Sequence, residues 1–452
     1  MRQIIIVGGG PAGVEAALAA ATAVSQVTLI SDAPIGGRAG WHSLLPSKLW
    51  LTVADMLGLL ATADEFGLQA GAGRPDVTAV LARLEQVKQA WSRRQHGALT
   101  ARGVRLLTGV AAFSGPQSVT VRNPDGTPQA ELTADAVIVA AGSVPWFPPG
   151  LRPDGQRVIA PRFAGGLTAL PDSMLVIGAG ATGCEFAYLF NRLGVDVTWI
   201  VDQLGVLPQM HPDLGRLLGQ ALVRQGVRMV AGQMVDRLER DGAGVTAVLQ
   251  DGARYGAAMA FVAIGRLPDW ERLNLDAAGL QPQQGVIEVD EYGRTANPRV
   301  YLVGDAMGGW MVANKAMAQA RIAGRHAAGL PTPPYRRDGL VLAAYTQPQA
   351  AQVGCVVPHP DVRTVRVPYS AALKSYLEPE GAGFIELSYA AADRRLLGAV
   401  ALGAHAADVL SPVALAINLG ATLDDLANTY AAHPVVSELA FIAARAAPPG
   451  EG

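Results

Sequence analysis

A chain of 452 residues, half of them apolar and only 16% charged, is long enough for about two to four domains with sizeable cores, and excludes a disordered or low-complexity protein. The 36 lysines and arginines against 38 aspartates and glutamates give a formal net charge of −2 with no basic stripe, which excludes nucleic acid as an expected partner. Two cysteines, Cys184 and Cys355, stand outside any CxxC or metal-ligand spacing, so no disulfide framework or metal site is expected and a reducing, cytoplasmic location is.

The opening "MRQIIIVGGGPAGVEAALAAA" enters an apolar strand at once, so no signal peptide is expected. The strand runs into GxGxxG at Gly8, Gly10 and Gly13, with Pro11 and Ala12 between, then an apolar helix and a second strand, "QVTLISD", ending at Ser31 and Asp32. The device recurs in "MLVIGAGATGCEFAYLF", with Gly178, Gly180 and Gly183, followed by "VDVTWIVD" ending at Val201 and Asp202. A lone GxGxxG is weak evidence, but both copies lie between a predicted strand and helix at βαβ spacing, which predicts two dinucleotide-binding domains. The first glycine of each permits a tight turn, the second lets a pyrophosphate approach the backbone, and the third allows close helix–strand packing. The phosphates would meet the free N–H groups and positive dipole end of the helix.

Between the repeats, "TADAVIVAAGSVPWFPPG" is predicted as a strand ending in a Gly/Pro-rich crossing, and "AMAFVAIGRLPDW" is its counterpart after the second repeat. "GVIEVDEYGRTANPRVYLVGDAMGG" reads as strand, turn and strand, ending in Gly304-Asp305. After the proline-rich linker "GLPTPPYRRDG", strands ("GFIELSYAA", "LLGAVALG") alternate with apolar helices ("SPVALAINL"), which predicts an antiparallel sheet with helices. No uncharged apolar run approaches the roughly 18 residues of a membrane span. The expected architecture is α/β, with two Rossmann-like βαβ domains and a C-terminal α+β dimerisation domain. Its expected boundaries are 1–147 and 269–333 for the first nucleotide domain, 148–268 for the second, and 334–452 for the last.

The order of these features resembles the flavoprotein disulfide reductases: lipoamide dehydrogenase, glutathione reductase and mercuric reductase. The matching stretches are the two GxGxxG loops, "GG…PSK" at Gly36 to Lys48, "AAGSVP", "AIGRLPD", "VGDAMGG", "YTQPQAAQVG" and "HPVVSE". The resemblance implies a homodimer, with FAD in the first domain and a nicotinamide nucleotide in the second. Besides the residues of the two loops and strand ends, it implies cofactor contacts at Gly37, Lys48, Ala141, Gly142, Thr182, Glu185, Gly265, Gly304, Asp305, Val312 and Ala313. Asp305 matches the residue that binds the flavin ribityl chain.

In "IGGRAGWHSLLPSKLW" the two cysteines of a disulfide reductase would fall at Ala39 and Leu44. Thiol–disulfide exchange needs an attacking thiolate, so reduction of lipoamide, glutathione or mercuric ion by that route is not expected. Trp41 and His42 fall where the disulfide would lie, either to stack on a planar acceptor or flavin or to fill the vacated volume. Lys48, one of only four lysines, matches a residue that pairs with an acid near the flavin N5 edge in the family, and Glu185 matches the acid. Glu185 opens an apolar helix, where an unpaired carboxylate is costly; the alternative is a helix-capping Lys48 and a solvent-facing Glu185. The adenosine-ribose acid is expected at Ser31, where it is missing, or one place later at Asp32. At the second site Val201 and Asp202 hold the corresponding positions, and the lack of an arginine there favours NADH over NADPH. His433 and Glu438 match a dyad that protonates a thiolate in the partner's site; here it would serve a quinone or the flavin, or only packing. Cys184 and Cys355 are expected to be buried, inert residues.

Bacterial lipoamide-dehydrogenase-like NAD(P)H:quinone reductases, which also lack the cysteine pair, are the branch this chain looks most like. The shared stretches are "GGGPAGVEAALAAAT", "IGG…PSK" and "SPVALAINLGATLDDLANT". That implies hydride transfer from NAD(P)H through FAD to a quinone-like acceptor. A soluble pyridine nucleotide transhydrogenase is the second reading, and a redox-sensing or structural flavoprotein the non-enzyme one.

Overall fold

Three consecutive isoleucines, Ile4 to Ile6, must be covered on both faces, and the strand that holds them, Arg2–Val7, lies in the middle of a five-stranded parallel sheet. In this computed structural model, which describes residues 1–71, 73–242, 244–378 and 382–449, the sheet order is Val300–Leu302, Ala136–Val139, Arg2–Val7, Ser25–Ser31 and Arg105–Thr108. The helices Pro11–Ala20 and Ala313–Ala327 pack closely on each other because their contact is built from alanine and glycine. A Cβ on Gly324 would lie 2.5 Å from the Ala16 carbonyl oxygen. A three-stranded antiparallel sheet, Val110–Gly115, Ser118–Arg122 and Pro128–Thr133, follows.

The second repeat forms the same device. The strands Arg228–Ala231, Asp196–Val201, Ser173–Ile177, Met259–Val262 and Val158–Ile159 make a second five-stranded parallel sheet, accompanied by the antiparallel strands Val235–Arg240, Val245–Leu249 and Arg254–Ala257. Phe186 and Phe261 stack at 4.0 Å between helix and sheet. The last third is a five-stranded antiparallel sheet, Val341–Ala344, Gln349–Gly354, Leu396–Gly403, Phe384–Ala390 and Val362–Pro368, backed by the helices Ala406–Leu419 and Leu439–Ala446. The two Gly/Pro-rich crossings pair antiparallel with each other, Ser143–Pro145 with Arg266–Pro268. By contact density the chain divides into two units. One comprises Met1–Pro46, Leu81–Trp146 and Gly265–Tyr335; the other comprises Ser47–Val80, Phe147–Ile264 and Arg336–Gly452.

One expected strand is not formed. "GVIEVD" makes only an isolated bridge between Gln283 and Val286, because the Asp290 carboxylate accepts the N–H groups of Tyr292 and Arg294 at 2.9 Å and turns the chain instead of letting it pair.

The segment Gly37–Ala61 is helical throughout but changes pitch. After Gly37–Ala39 comes one π-helical turn, Gly40–Leu44, closed by the Leu45 N–H on the Gly40 carbonyl, and then the α-helix Leu45–Ala61. Pro46 has no N–H for the carbonyl four residues back, so the widened turn sits where a regular α-helix would lose a bond. Among the described residues this is the one helix long and apolar enough to cross a membrane by length and composition. Its Lys48 and Asp55 are bonded to Glu185 and Tyr188 of the helix Ala181–Arg192, at 2.8 and 2.7 Å, so it is an integral element of the fold.

At the start of the helix Pro212–Arg224, Asp213 bonds Arg216 at 2.8 Å and Arg366 of the antiparallel sheet at 2.7 Å, and these arginines hold its carboxyl down to about 2 from an ordinary 3.8. A carboxyl lowered on folding stabilises the protein above its unfolded value, and the contribution disappears as pH falls through the folded one. Asp213→Asn should therefore unfold at lower urea than wild type at pH 7, with the difference vanishing between about pH 4 and about pH 2.

Candidate functional site

The first glycine loop is shaped by what cannot fit in it. Gly8 has φ +112° and a Cβ there would stand 2.3 Å from the Ala140 carbonyl oxygen, while a Cβ on Gly13 would stand 1.7 Å from that of Gly8. Gly10, by contrast, faces open space, with Pro11 opening the helix immediately after it. Gly37 packs on Gly10, and Gly36 donates its N–H to the Gly9 carbonyl at 2.9 Å. Gly304, at φ +68°, is pressed between Ala12 and Ala316 and so brings Asp305 beside the loop. Val312 precedes the helix Ala313–Ala327 with no side-chain cap bond, and within the first turn the Lys315 N–H is taken by Asn314 Oδ1 at 3.1 Å. Open space at Gly10 and Gly142, flanked by helix N-termini and one carboxylate, fits a dinucleotide with an anionic centre and a hydroxylated chain.

The loop Ala141–Ser143 is fixed through its carbonyls. Ala141 O accepts from Arg38 Nη2 at 2.8 Å, Gly142 O from the Asp269 N–H at 3.1 Å, and Ser143 O from Arg266 Nη2 at 2.9 Å. Arg38 Nη2 also pairs with Asp269 at 2.6 Å. Burial pulls the Arg266 guanidinium below its usual pKa, opposed by the Asp305 carboxylate. At the end of the second strand, Ser31 is buried against Gly9 and donates to the Ala33 carbonyl at 2.8 Å. Asp32 is exposed and pairs with Arg272 at 2.6 Å.

The second loop reproduces the first. A Cβ on Gly178 (φ +106°) would stand 2.3 Å from the Ala263 carbonyl oxygen and one on Gly183 2.0 Å from that of Gly178, while Gly180 is open and Thr182 exposed on the first turn of the helix. Val201 is buried, so its side chain belongs to the core, and the polar group at this strand end is Asp202, which accepts the Leu204 N–H at 2.9 Å. Gly265, at φ +140°, has open space where a Cβ would be.

Glu185 is buried, and both its oxygens are bound: Oε2 by Lys48 Nζ at 2.8 Å and Oε1 by the Tyr345 N–H at 3.1 Å. Lys48 Nζ also lies 4.5 Å from the centre of the Tyr345 ring, a cation–π distance. Burial, reinforced by Glu185, raises the Tyr345 phenol. Neither the capping lysine nor the solvent-facing glutamate describes this geometry. One residue earlier, Cys184 is fully buried and donates to the Ala179 carbonyl, and burial pushes its thiol far up, out of the reactive range. Cys355, expected to be buried, is exposed, because it follows the strand Gln349–Gly354 where only its backbone pairs.

Ala39 and Leu44 flank and close the π turn. Trp41 folds back over its own loop, donating Nε1 to the Ile35 carbonyl at 3.1 Å beside Gly36, while His42 is exposed. His433 Nδ1 meets Glu438 Oε2 at 3.0 Å; the glutamate is buried and the imidazole side chain is 63% exposed.

Known proteins place this arrangement. The family described as pyridine nucleotide-disulphide oxidoreductase matches residues 2–320, and its dimerisation domain matches residues 342–442. The chain belongs to the pyridine nucleotide-disulphide oxidoreductase family. Members are FAD- and NAD(P)-dependent. The chain is similar to a dihydrolipoyl dehydrogenase of Chlorobaculum tepidum, 31% identical over 445 residues and covering 96% of this chain and 95% of that one. An NAD(P)H dehydrogenase (quinone) of Mycobacterium tuberculosis is also 31% identical, over 464 residues, covering 98% and 94%. The crystal structure of LpdA from Mycobacterium tuberculosis superposes with a TM-score of 0.93 at 31% identity, covering 98% of this chain and 99% of that one.

Within this family fold, sequence reasoning missed Arg38, Ser143, Arg266 and Tyr345. Three of them stand inside stretches that carry the resemblance, "AAGSVP", "AIGRLPD" and "YTQPQAAQVG", but their partners are 123 to 162 residues distant, and Tyr345 reaches its partner through its backbone N–H.

The Lys48–Glu185 pair is half-buried, so its loss falls between the near-zero cost of an exposed pair and the 3–5 kcal/mol of a fully buried one. Glu185→Ala should lower stability by about 2 kcal/mol in urea denaturation of the flavin-loaded protein, and Lys48→Met, which strands the buried carboxylate, by at least as much. Wild-type midpoints in both variants would show that the pair contributes nothing.

Proposed function

We propose that this protein is an FAD-dependent oxidoreductase that takes hydride from a nicotinamide nucleotide and passes the electrons to a quinone-like acceptor without a redox disulfide. The observation that carries the reading is the combination at Gly36 to Lys48: a glycine cradle and the Lys48–Glu185 pair are intact, while Ala39 and Leu44 hold the thiol positions. The name of one relative, an NAD(P)H dehydrogenase (quinone), supports the acceptor class.

FAD, when bound, supplies a two-electron carrier between donor and acceptor. The protein's part is to bind, orient and charge-balance. Gly10 and the first turn of Pro11–Ala20 would receive the pyrophosphate, Asp305 a ribityl hydroxyl, and the N-terminus at Val312 and Ala313 the negative charge that reduction adds to the ring. Ser31 and Asp32 share the adenosine end, Ser31 through a backbone-anchored hydroxyl and Asp32 through a carboxylate already held by Arg272. Glu185 fixes the Lys48 ammonium through one oxygen and is itself fixed by Tyr345 through the other, so a full positive charge is held in place rather than free to wander. Gly180, Thr182 and Gly183 would cradle the nicotinamide nucleotide's pyrophosphate, and Asp202 favours the free ribose diol of NADH over the phosphate of NADPH. His433, oriented by Glu438 and largely exposed, is suited to deliver a proton to the reduced acceptor, in a homodimer built through the dimerisation domain.

Anaerobic mixing with NADH should bleach the yellow protein faster than NADPH does, and a quinone should restore the colour. No long-wavelength thiolate–flavin band should arise at any stage. Steady turnover with lipoamide, or such a band, would overturn the disulfide-free reading, and failure of both nucleotides to bleach the protein would favour a sensor. His433→Ala should leave bleaching by NADH intact and slow reoxidation by quinone by about 10²-fold. If neither half-reaction changes, the dyad is structural.

A further inference from the structure

Asp305 does not stand alone in the cradle. Its Oδ2 is 2.6 Å from Ser143 Oγ, which is 2.7 Å from Arg266 Nε, and Arg266 Nη2 is 2.9 Å from the Ser143 carbonyl. The direction of these bonds follows from the donors. A guanidinium is always protonated and can only donate, so Ser143 Oγ must accept from Arg266. A serine hydroxyl has a single hydrogen, which is then left for Asp305, and Asp305 Oδ2 accepts it. The separation is that of a charge-assisted O–H···O⁻ bond.

We infer that Ser143 and Arg266 are positioning residues that hold Asp305 turned so that its second oxygen is offered to a hydroxyl of the flavin's sugar-like chain. Among the described residues, Asp305 Oδ1 has no partner, and Gly304, pressed on Ala12, sets the residue beside the glycine loop. Ser143 is buried, and Arg266 grips it at both hydroxyl and carbonyl, so the hydroxyl has no alternative orientation that keeps Arg266 Nε satisfied. The strand pairing of Ser143–Pro145 with Arg266–Pro268 fixes the serine and arginine to each other independently of any ligand. At the other end of the same loop, Arg38 holds Ala141 O and Asp269, which keeps the loop from shifting when the carboxylate takes up a ligand.

The inference rests on reading this cradle as the FAD site, and the test separates the two. Flavin fluorescence after dilution of the holoprotein measures release of FAD. Ser143→Ala should weaken FAD binding by about tenfold, the effect of one charge-assisted hydrogen bond. Ser143→Thr, which keeps the hydroxyl, should restore wild-type retention. Arg266→Lys, unable to reach both the hydroxyl and the carbonyl with one ammonium, should behave like Ser143→Ala. A role in strand packing alone would not distinguish alanine from threonine in FAD release. Ser143→Ala retaining FAD as tightly as wild type would overturn the relay while leaving the FAD site standing. Failure of the wild-type protein to retain FAD at all would overturn the site and the relay with it.

Discussion

The whole arrangement depends on one steric constraint: a helix must start so close to the strand before it that no side chain fits between them. A Cβ on Gly13 would penetrate the Gly8 carbonyl oxygen at 1.7 Å, and one on Gly183 the Gly178 carbonyl at 2.0 Å. Only glycine tolerates that approach, and only that approach brings the N–H groups of the helix start against open space at Gly10 and Gly180. The same economy of volume repeats where Gly37 meets Gly10 and Gly304 meets Ala12 and Ala316. The first glycine loop, the Asp305 residue and the helix start at Ala313 converge because the backbones between them can touch.

What the chain lacks shapes its chemistry as much as what it has. Ala39 and Leu44 bring no thiol; the segment Gly37–Ala61 widens into a π turn before Pro46, and Trp41 closes over its own glycine turn. Cys184, the thiol nearest Glu185 in sequence, is fully buried. Fixed charges stand in each unit: the Lys48–Glu185 pair in one, and the arginines around the Ala141–Ser143 loop in the other. Such charges can orient ligands, but they cannot exchange a disulfide.

Much of this was legible in the sequence, for a physical reason. The glycine loops, the two parallel sheets and the antiparallel last third follow from local periodicity and backbone demands that a single segment carries by itself. The "GVIEVD" segment failed as a strand because alternation cannot reveal whether a neighbouring edge exists, and Asp290 closed a turn instead. Lys48 and Glu185, 137 residues apart, came from resemblance and not from pattern. Arg266 and Ser143 were invisible for a related reason, since an arginine and a serine at the ends of short strands have no local signature, and their meaning lies in which atom donates to which. Ser31 and Asp32 divide the strand end between a backbone-anchored hydroxyl and an ion pair, a choice made by Arg272 some 240 residues away.

The central claim is that FAD is the only redox carrier in this fold. The most direct measurement is an anaerobic titration of the holoprotein with dithionite, counting the electrons taken up per flavin before bleaching is complete. One pair of electrons per flavin is the predicted result, with a single phase throughout. A second pair, taken up before the flavin bleaches, would reveal another redox group and contradict the account.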